Sequence, residues 1–416
     1  MTTSTLLRAA LPVPLCLAAI LFASQITRAD ILVGDHLDGG VFRINQITGA
    51  PVGGQPFAEG VSGAQGEAVS FGPDGNLYAT YALPNGNTEV RRYNPYTGAE
   101  IAGGPFIAPG AGGLHYAGDM RWGPDGNLYV ANFGDFVPDG MGGQAQIPGG
   151  TVLKYNADGV YQSSIDLGFF TSPSGIAIDR ASGDMYVTNW YSNELMKSNI
   201  YSSAAPVSIY SGPLLDNPSG ISIGPDGNLY IANMSALTTG GTGNVQSFNT
   251  SGTPINTLAT MPSQSYPAGV IFTNEGKMVV SSLSYGALYS YNTQTLGWDY
   301  FADVTGGNPG SVNPALMALS PISGDANADG IVNIADLTIV ADKWQTGGPT
   351  GDVNGDGKVD IADIAAIANN WQATTYNTGG GGSITAVPEP ATFGLACLAI
   401  ACGALSWARK RRVAKN

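Results

Sequence analysis

The sequence predicts an all-β propeller of six blades followed by a small α-helical module built on two acidic loops. Three observations predict it. A GPDGNLY turn motif recurs along the chain, the strands of one repeat are split between the two ends of the array, and two in-phase DxNxDG loops follow it.

The turn motif comes first. Phe71–Tyr78 recurs as Trp122–Tyr129 and Ile223–Tyr230, with looser copies at Ile178–Tyr186 and Phe272–Val279. Anchored on Tyr78, Tyr129, Tyr186, Tyr230 and Val279, the spacings are 51, 57, 44 and 49. Each copy reads as a hairpin: an apolar strand, a tight turn in which Pro presets φ and Gly takes positive φ, then a second strand. A third strand follows each time, at Gly40–Asn45, Glu89–Asn94, Thr151–Asn156, Glu194–Asn199, Asn244–Asn249 and Ala287–Asn292. A fourth apolar segment usually comes next, as at Pro105–Ala108 and Val207–Tyr210.

The ends of the array complete the count. Ile31–Asp35 matches a second strand with no first strand before it. The missing piece, Leu316–Ser320, comes last, after Asn313-Pro314. Closing a ring with strands from both termini removes exposed sheet edges. Residues 30–321 then divide into six units of about 48 residues, the size of a four-stranded blade. The alternative is a β-sandwich with chance turn similarity. The 59 glycines and 19 tyrosines suit many short strands and tight turns. These repeats resemble the NHL and SMP-30-like propellers.

The character changes at residue 322. Asp325, Asn327, Asp329, Asn333 and Asp336 place side-chain oxygens at positions 1, 3, 5, 9 and 12 of a calcium loop. Ile331 offers a backbone carbonyl at position 7, and Gly330 permits the sharp turn. Asp352, Asn354, Asp356, Lys358 (through its carbonyl), Asp360 and Asp363 repeat the set 27 residues later. Two calcium ions are therefore expected, with folding of this segment coupled to metal. Each loop runs into a short helix. The expected apolar faces are Ile334, Leu337, Val340 and Trp344, then Ile361, Ile364, Ala368 and Trp371. Val332 and Val359 hold position 8, where paired loops often bridge.

The pair resembles a type I dockerin, here residues 322–373, with Asp at both loop ends and no leading helix in either hand. The resemblance implies docking to a cohesin-like partner, often in polysaccharide-degrading assemblies, through Ile334-Ala335 and Ile361-Ala362. Cellulosomal dockerins often carry hydroxyl residues there, so the apolar pairs depart from that pattern. A calcium-stabilised module packing on a neighbour is the alternative.

Both ends read as addresses. Residues 1–29 combine Arg8, an apolar run from Ala9 to Ala23, and Thr27-Arg28-Ala29, as in a signal peptide cut after Ala29. Residues 374–386 are a linker containing Gly379–Gly382. In residues 387–416, Val387-Pro388-Glu389-Pro390-Ala391-Thr392 precedes an apolar stretch, Phe393–Ala408, and the basic cluster Arg409–Arg412. This resembles the PEP-CTERM sorting signal. It implies transient insertion in the inner membrane, processing by an exosortase, and release or attachment at the cell surface.

Setting both ends aside leaves ten basic and thirty acidic residues, a body near −20. Such a surface attracts divalent cations and argues against nucleic-acid binding. Cys16, Cys397 and Cys402 all lie in the end segments, so no disulfide staples the body.

Catalytic signals are sparse. Aligning first strands sets Glu67, Gly118, Ser174, Ser219, Ala268 and Ala315 at one channel level and Ala68, Asp119, Gly175, Gly220, Gly269 and Leu316 at the next. Glu67 and Asp119 are the acidic members, a candidate metal pair, with a structural hydrogen-bonding role as the favoured alternative. His115 is a candidate channel residue, with a satisfied or exposed histidine as the alternative. The reading that follows is a secreted, calcium-binding surface protein. Its propeller is a scaffold for glycan (such as extracellular polysaccharide) or protein, and its module docks a partner. A hydrolase, either lactonase-like or glycan-active, is the alternative.

Overall fold

The computed structural model describes residues 30–371, apart from 135, 139–143, 147–149, 169–170, 235–242, 259–260, 263–264, 285, 305–311, 328–330, 347–350 and 355–357. The signal peptide, the linker and the sorting tail lie outside the described residues.

Six antiparallel sheets form the ring. Blade one holds β1 (Asp30–Asp35) and β2 (Val41–Asn45), with β24 (Pro314–Leu319) as its innermost strand. Blade two is β3 (Gln65–Phe71), β4 (Leu77–Ala82) and β5 (Thr88–Tyr93). Blade three runs β6 (Ala117–Trp122), β7 (Leu128–Asn132), β10 (Thr151–Tyr155) and β11 (Tyr161–Asp166), with the hairpin β8 (Phe136–Pro138) and β9 (Gln144–Gln146) inserted after β7. Blade four is β12 (Pro173–Ile178), β13 (Asp184–Asn189), β14 (Glu194–Asn199) and β15 (Val207–Ser211). Blade five is β16 (Pro218–Ile223), β17 (Leu229–Asn233), β18 (Asn244–Phe248) and β19 (Pro254–Thr257). Blade six is β20 (Pro267–Phe272), β21 (Met278–Ser282), β22 (Ala287–Asn292) and β23 (Gly297–Asp303).

The expected closure holds. β1 pairs antiparallel with β24, Ile31 opposite Leu319 and Val33 opposite Met317, and β24 starts two residues and ends one residue before the expected span. In blades one and two the fourth strand shrinks to isolated bridges, Val41 with Ala58 and Val90 with Ile107.

The repeated turn has a concrete cause. In three hairpins the turn aspartate (Asp74, Asp125, Asp226) accepts bonds from the backbone N–H and side-chain amide of the asparagine two residues on. It also accepts from the tyrosine hydroxyl four residues on, at 2.9, 2.8 and 2.9 Å. GPDGNLY is thus one hydrogen-bonded unit that fixes hairpin register.

All six innermost strands carry one extra residue against their neighbour. The slips fall between Gly66 and Val69, Ala117 and Met120, Pro173 and Gly175, Pro218 and Ile221, Pro267 and Val270, and Pro314 and Met317. A bulge at one level in every blade kinks the strand and re-aims its side chains. Glycine at this level admits the next blade: a Cβ on Gly220 would lie 2.6 Å from the Ala268 carbonyl oxygen. Hydroxyls from second strands hold the bulges. Thr188 accepts from Gly175 N at 2.9 Å and donates to the Ser219 carbonyl of the next blade at 2.5 Å. Ser281 does the same with Gly269 N and the Ala315 carbonyl, at 2.8 and 2.6 Å.

After β24 come two short helices, α1 (Ile334–Asp342) and α2 (Ile361–Asn369). Each starts with a capping box, Asn333 with Asp336 and Asp360 with Asp363. Leu337, Val340, Ile364 and Ile367 are buried, whereas Ile334 and Ile361 are exposed. The expected apolar faces are therefore corrected at their first turns, and Ile367 rather than Ala368 faces inward. The helices share one apolar cluster with Ile31, Ile44, Met317 and Leu319 of blade one.

Candidate functional site

The bulges point into the ring's central channel. Its mouth is a concavity of about 660 Å³, lined at the bulge level by Glu67, Gly118, Ser174, Ser219, Ala268 and Leu316. Five of the six expected channel positions are thus in place. In the last strand Leu316 replaces Ala315, because the bulge there turns the following residue inward.

A second ring of side chains sits above the first. In five of the six blades, all but blade two, the residue after the second strand donates its backbone N–H to the segment entering the first strand. His36 bonds Asn313 at 2.9 Å, Phe133 bonds Tyr116 at 3.0 Å, Trp190 bonds Ser172 at 2.9 Å, Met234 bonds Asn217 at 3.1 Å and Leu283 bonds Tyr266 at 3.0 Å. The strand-ending residue beneath caps the same segment: Asp35 accepts from Asn313 N, Asn132 from His115 N and Asn233 from Asp216 N. All five of these second-ring side chains line the mouth, as do Tyr116 and Tyr266.

His36 Nδ1 and the Glu67 carboxylate pair directly. The Glu67 charge holds the His36 pKa above its ordinary value, against the opposing effect of burial. Among the described residues, these two are the acidic and basic groups of the mouth. Of the two readings of Asp119, metal pairing with Glu67 or a structural hydrogen-bonding role, its contacts are those of the second. Asp119 is fully buried, ion-pairs with Arg121 at 2.7 Å, and accepts from Met120 N and from Ile176 N of the next blade. Burial pushes its carboxyl up to about 6. His115 lies beside the mouth, its ring edge-on to Tyr116 with centroids 5.0 Å apart and its Nε2 3.3 Å from the Asn85 carbonyl oxygen.

The acidic loops are near-duplicates. Asp336 Oδ1 accepts from Ala326 N and Asn327 N, and Oδ2 from Asn333 N. Asp363 repeats this with Val353 N, Asn354 N and Asp360 N. Both carboxylates are fully buried, and Asp325 and Asp352 are nearly so. Burial raises the Asp363 pKa, although three backbone amides oppose it. Ile331 and Lys358 are among the described residues, while Asp329 and Asp356 lie outside them. Val332 and Val359 are buried, and the Val359 backbone bonds Gln345 and Thr346. The loops face the propeller: the Tyr96 hydroxyl donates to the Asp352 carbonyl at 2.5 Å.

Comparison with known proteins adds the following. Residues 386–412 match the PEP-CTERM protein-sorting motif. No curated protein matches the chain. Among solved structures, a chain of a nidogen/laminin complex is 12% identical with a TM-score of 0.52, covering 70% of this chain and 98% of that one. A candidate 6-phosphogluconolactonase from Bacteroides fragilis is 14% identical, with a TM-score of 0.47 and 71% and 99% coverage. A virginiamycin B lyase from Staphylococcus aureus is 13% identical, with a TM-score of 0.44 and 61% and 74% coverage. At such identities the likeness is one of fold alone. The sorting motif marks the chain as a secreted, cell-surface protein, held transiently in the membrane by its C-terminal tail before exosortase processing.

Proposed function

We infer that this is a non-catalytic surface protein whose propeller binds a ligand at the channel mouth and whose C-terminal module, dockerin-like, binds two calcium ions and docks a cohesin-like partner. The observation that carries the reading is the mouth itself. It is concave, is built by all six blades, and has its carboxylate paired with His36. The calcium part is supported by donor chemistry. Two matched sets of buried carboxylates, carbonyls and amide oxygens suit a hard cation, with Asp325, Asn327, Ile331, Asn333 and Asp336 holding one ion and Asp352, Asn354, Lys358, Asp360 and Asp363 the other. Asp329 and Asp356 complete the sets by sequence. Ile334 and Ile361, exposed on matched first turns, are the expected docking contacts.

The test is affinity capture from the native envelope with and without chelator. Capture of a partner that chelator releases supports docking, and capture indifferent to chelator removes it. The His36–Glu67 pair favours a second reading, a lactonase-like or glycan-active hydrolase, because an imidazole beside a carboxylate can move protons. Turnover of a lactone or glycan that Glu67→Ala abolishes would establish that reading over the first.

A further inference from the structure

We propose that the channel mouth is a subsite for a neutral, polyhydroxylated ring, a pyranose unit of a glycan. The ring stacks on Trp190 and is hydrogen-bonded from the opposite side by Glu67 and His36. This rests on reading the mouth as a ligand site and names the class of ligand.

The large side chains of the mouth are unevenly placed. Blades three to six supply the aromatic ones, Tyr116, Phe133, Trp190 and Tyr266, among small residues such as Ser174 and Ser219, and blades one and two supply His36, Gln65 and Glu67 beside Leu316. In a six-membered ring blade four stands opposite blade one, so Trp190 faces His36 across the channel. A pyranose is uneven in a matching way, with C–H groups on its faces and hydroxyls around its edge. The C–H face suits the electron-rich face of an indole, and the hydroxyls suit a carboxylate that accepts and the remaining ring nitrogen of His36, Nε2.

Charge selects within that class. His36 and Glu67 pair with each other, and the mouth holds no further acidic or basic side chain among the described residues. A uronate would meet no unpaired cation and would approach a body near −20. A quaternary ammonium would find aromatic faces but offers no hydrogen bond to the free carboxylate oxygen of Glu67 or to His36 Nε2. A flat protein epitope does not enter a concavity of this size.

One backbone feature supports a built wall. Tyr116 has φ +46°, in the left-handed region that a bulky L-residue avoids. It is held there by bonds from Tyr116 N to the Gly86 carbonyl and from Phe133 N to its own carbonyl, both at 3.0 Å. Strain of this kind persists where the surroundings enforce it, and it concentrates at ligand sites.

The experiment is calorimetry and saturation-transfer NMR on the full chain. The probes are cellotriose, maltotriose and chitotriose, with trigalacturonate and choline as charged arms. The expected result is a neutral trisaccharide bound with Kd of about 1 mM or tighter, its ring C–H protons saturated. Trp190→Ala should weaken it at least tenfold, and Trp190→Phe, which keeps a stacking plane, should retain most of the binding. Preference for trigalacturonate or choline overturns the ligand class while keeping the site. Neutral binding that survives Trp190→Ala at full strength overturns the stacking. Failure of every probe overturns both this proposal and the ligand-site reading beneath it.

Discussion

Thr188→Val tests the hydroxyl that holds two blades together. The side chain is fully buried, and valine matches its shape, so no cavity forms. What is lost is the acceptor for Gly175 N, at 2.9 Å, the donor to the Ser219 carbonyl, at 2.5 Å, and the bond shared with Ser174 Oγ, at 3.1 Å. An orphaned buried N–H costs about 1–3 kcal/mol. A carbonyl left one bond short costs less, because it keeps a second lone pair. Ser174 Oγ keeps its bond to the Pro218 carbonyl at 2.7 Å and does not compensate. Together these give a loss of roughly 3 kcal/mol. With an unfolding entropy of about 2.1 cal/mol/K per residue over roughly 340 residues, that lowers Tm by about 4 °C. The assay is thermal unfolding followed by near-UV circular dichroism, with urea titration for the free energy. Thr188→Ser is the control: it keeps these bonds and loses one methyl, about 1 kcal/mol. If the valine variant is no less stable than the serine variant, the hydroxyl does not bind the blades and the argument fails.

Further outcomes follow from other sites. Ile367→Ala, at a fully buried position of the cluster shared with blade one, should cost about 2–5 kcal/mol and shift one common melting transition; two transitions, with the propeller's unmoved, would refute a shared core. Calcium titration of the full chain by calorimetry should report two ions, and one after Asp363→Ala; no heat at millimolar calcium would remove the metal assignment. NMR titration of His36 should give a midpoint above 6.5 that drops in Glu67→Gln. Because the folded state holds that proton more tightly, the pair's contribution to stability is full below the unfolded pKa near 6.5 and fades as pH rises through the folded midpoint. Glu67→Gln should flatten stability against pH in that window, and an unchanged slope would count against the pair.

The ring was legible because its blades repeat letters. Asp74, Asp125 and Asp226 each bind an asparagine and a tyrosine in the same way, so one motif marks three hairpins. Closure was legible because β1 lacks a sequence-adjacent first strand. The mouth was only half legible. Its lower ring follows from aligning first strands, but a bulge sits at that level in every blade, and alternation cannot decide orientation across a bulge. Asp119 is the example, since it turns to Arg121 and Ile176. The upper ring of His36, Phe133, Trp190, Met234 and Leu283 shares no chemistry between blades. Its signal is positional, one residue after the Asp or Asn that ends β1, β7, β13 and β17, and that signal picks out His36. The helix faces erred at Ile334 and Ile361 because helical period alone does not say where the neighbouring surface stops.

The closing strand also decides how the molecule carries force. Only Ser320 and Pro321 separate β24 from Ile322, which is buried in the cluster that joins the helices to blade one. While the tail is held in the membrane, a pull on the chain beyond Trp371 enters α2, passes through that cluster, and arrives at β24. There it acts along the strand, so the pairs Ile31–Leu319, Leu32–Ala318 and Val33–Met317 resist together in shear. The Tyr96–Asp352 bond diverts part of the load to blade two. Tension from the envelope therefore bears first on the seam that closes the ring, and it reaches the mouth through Leu316 of that same strand.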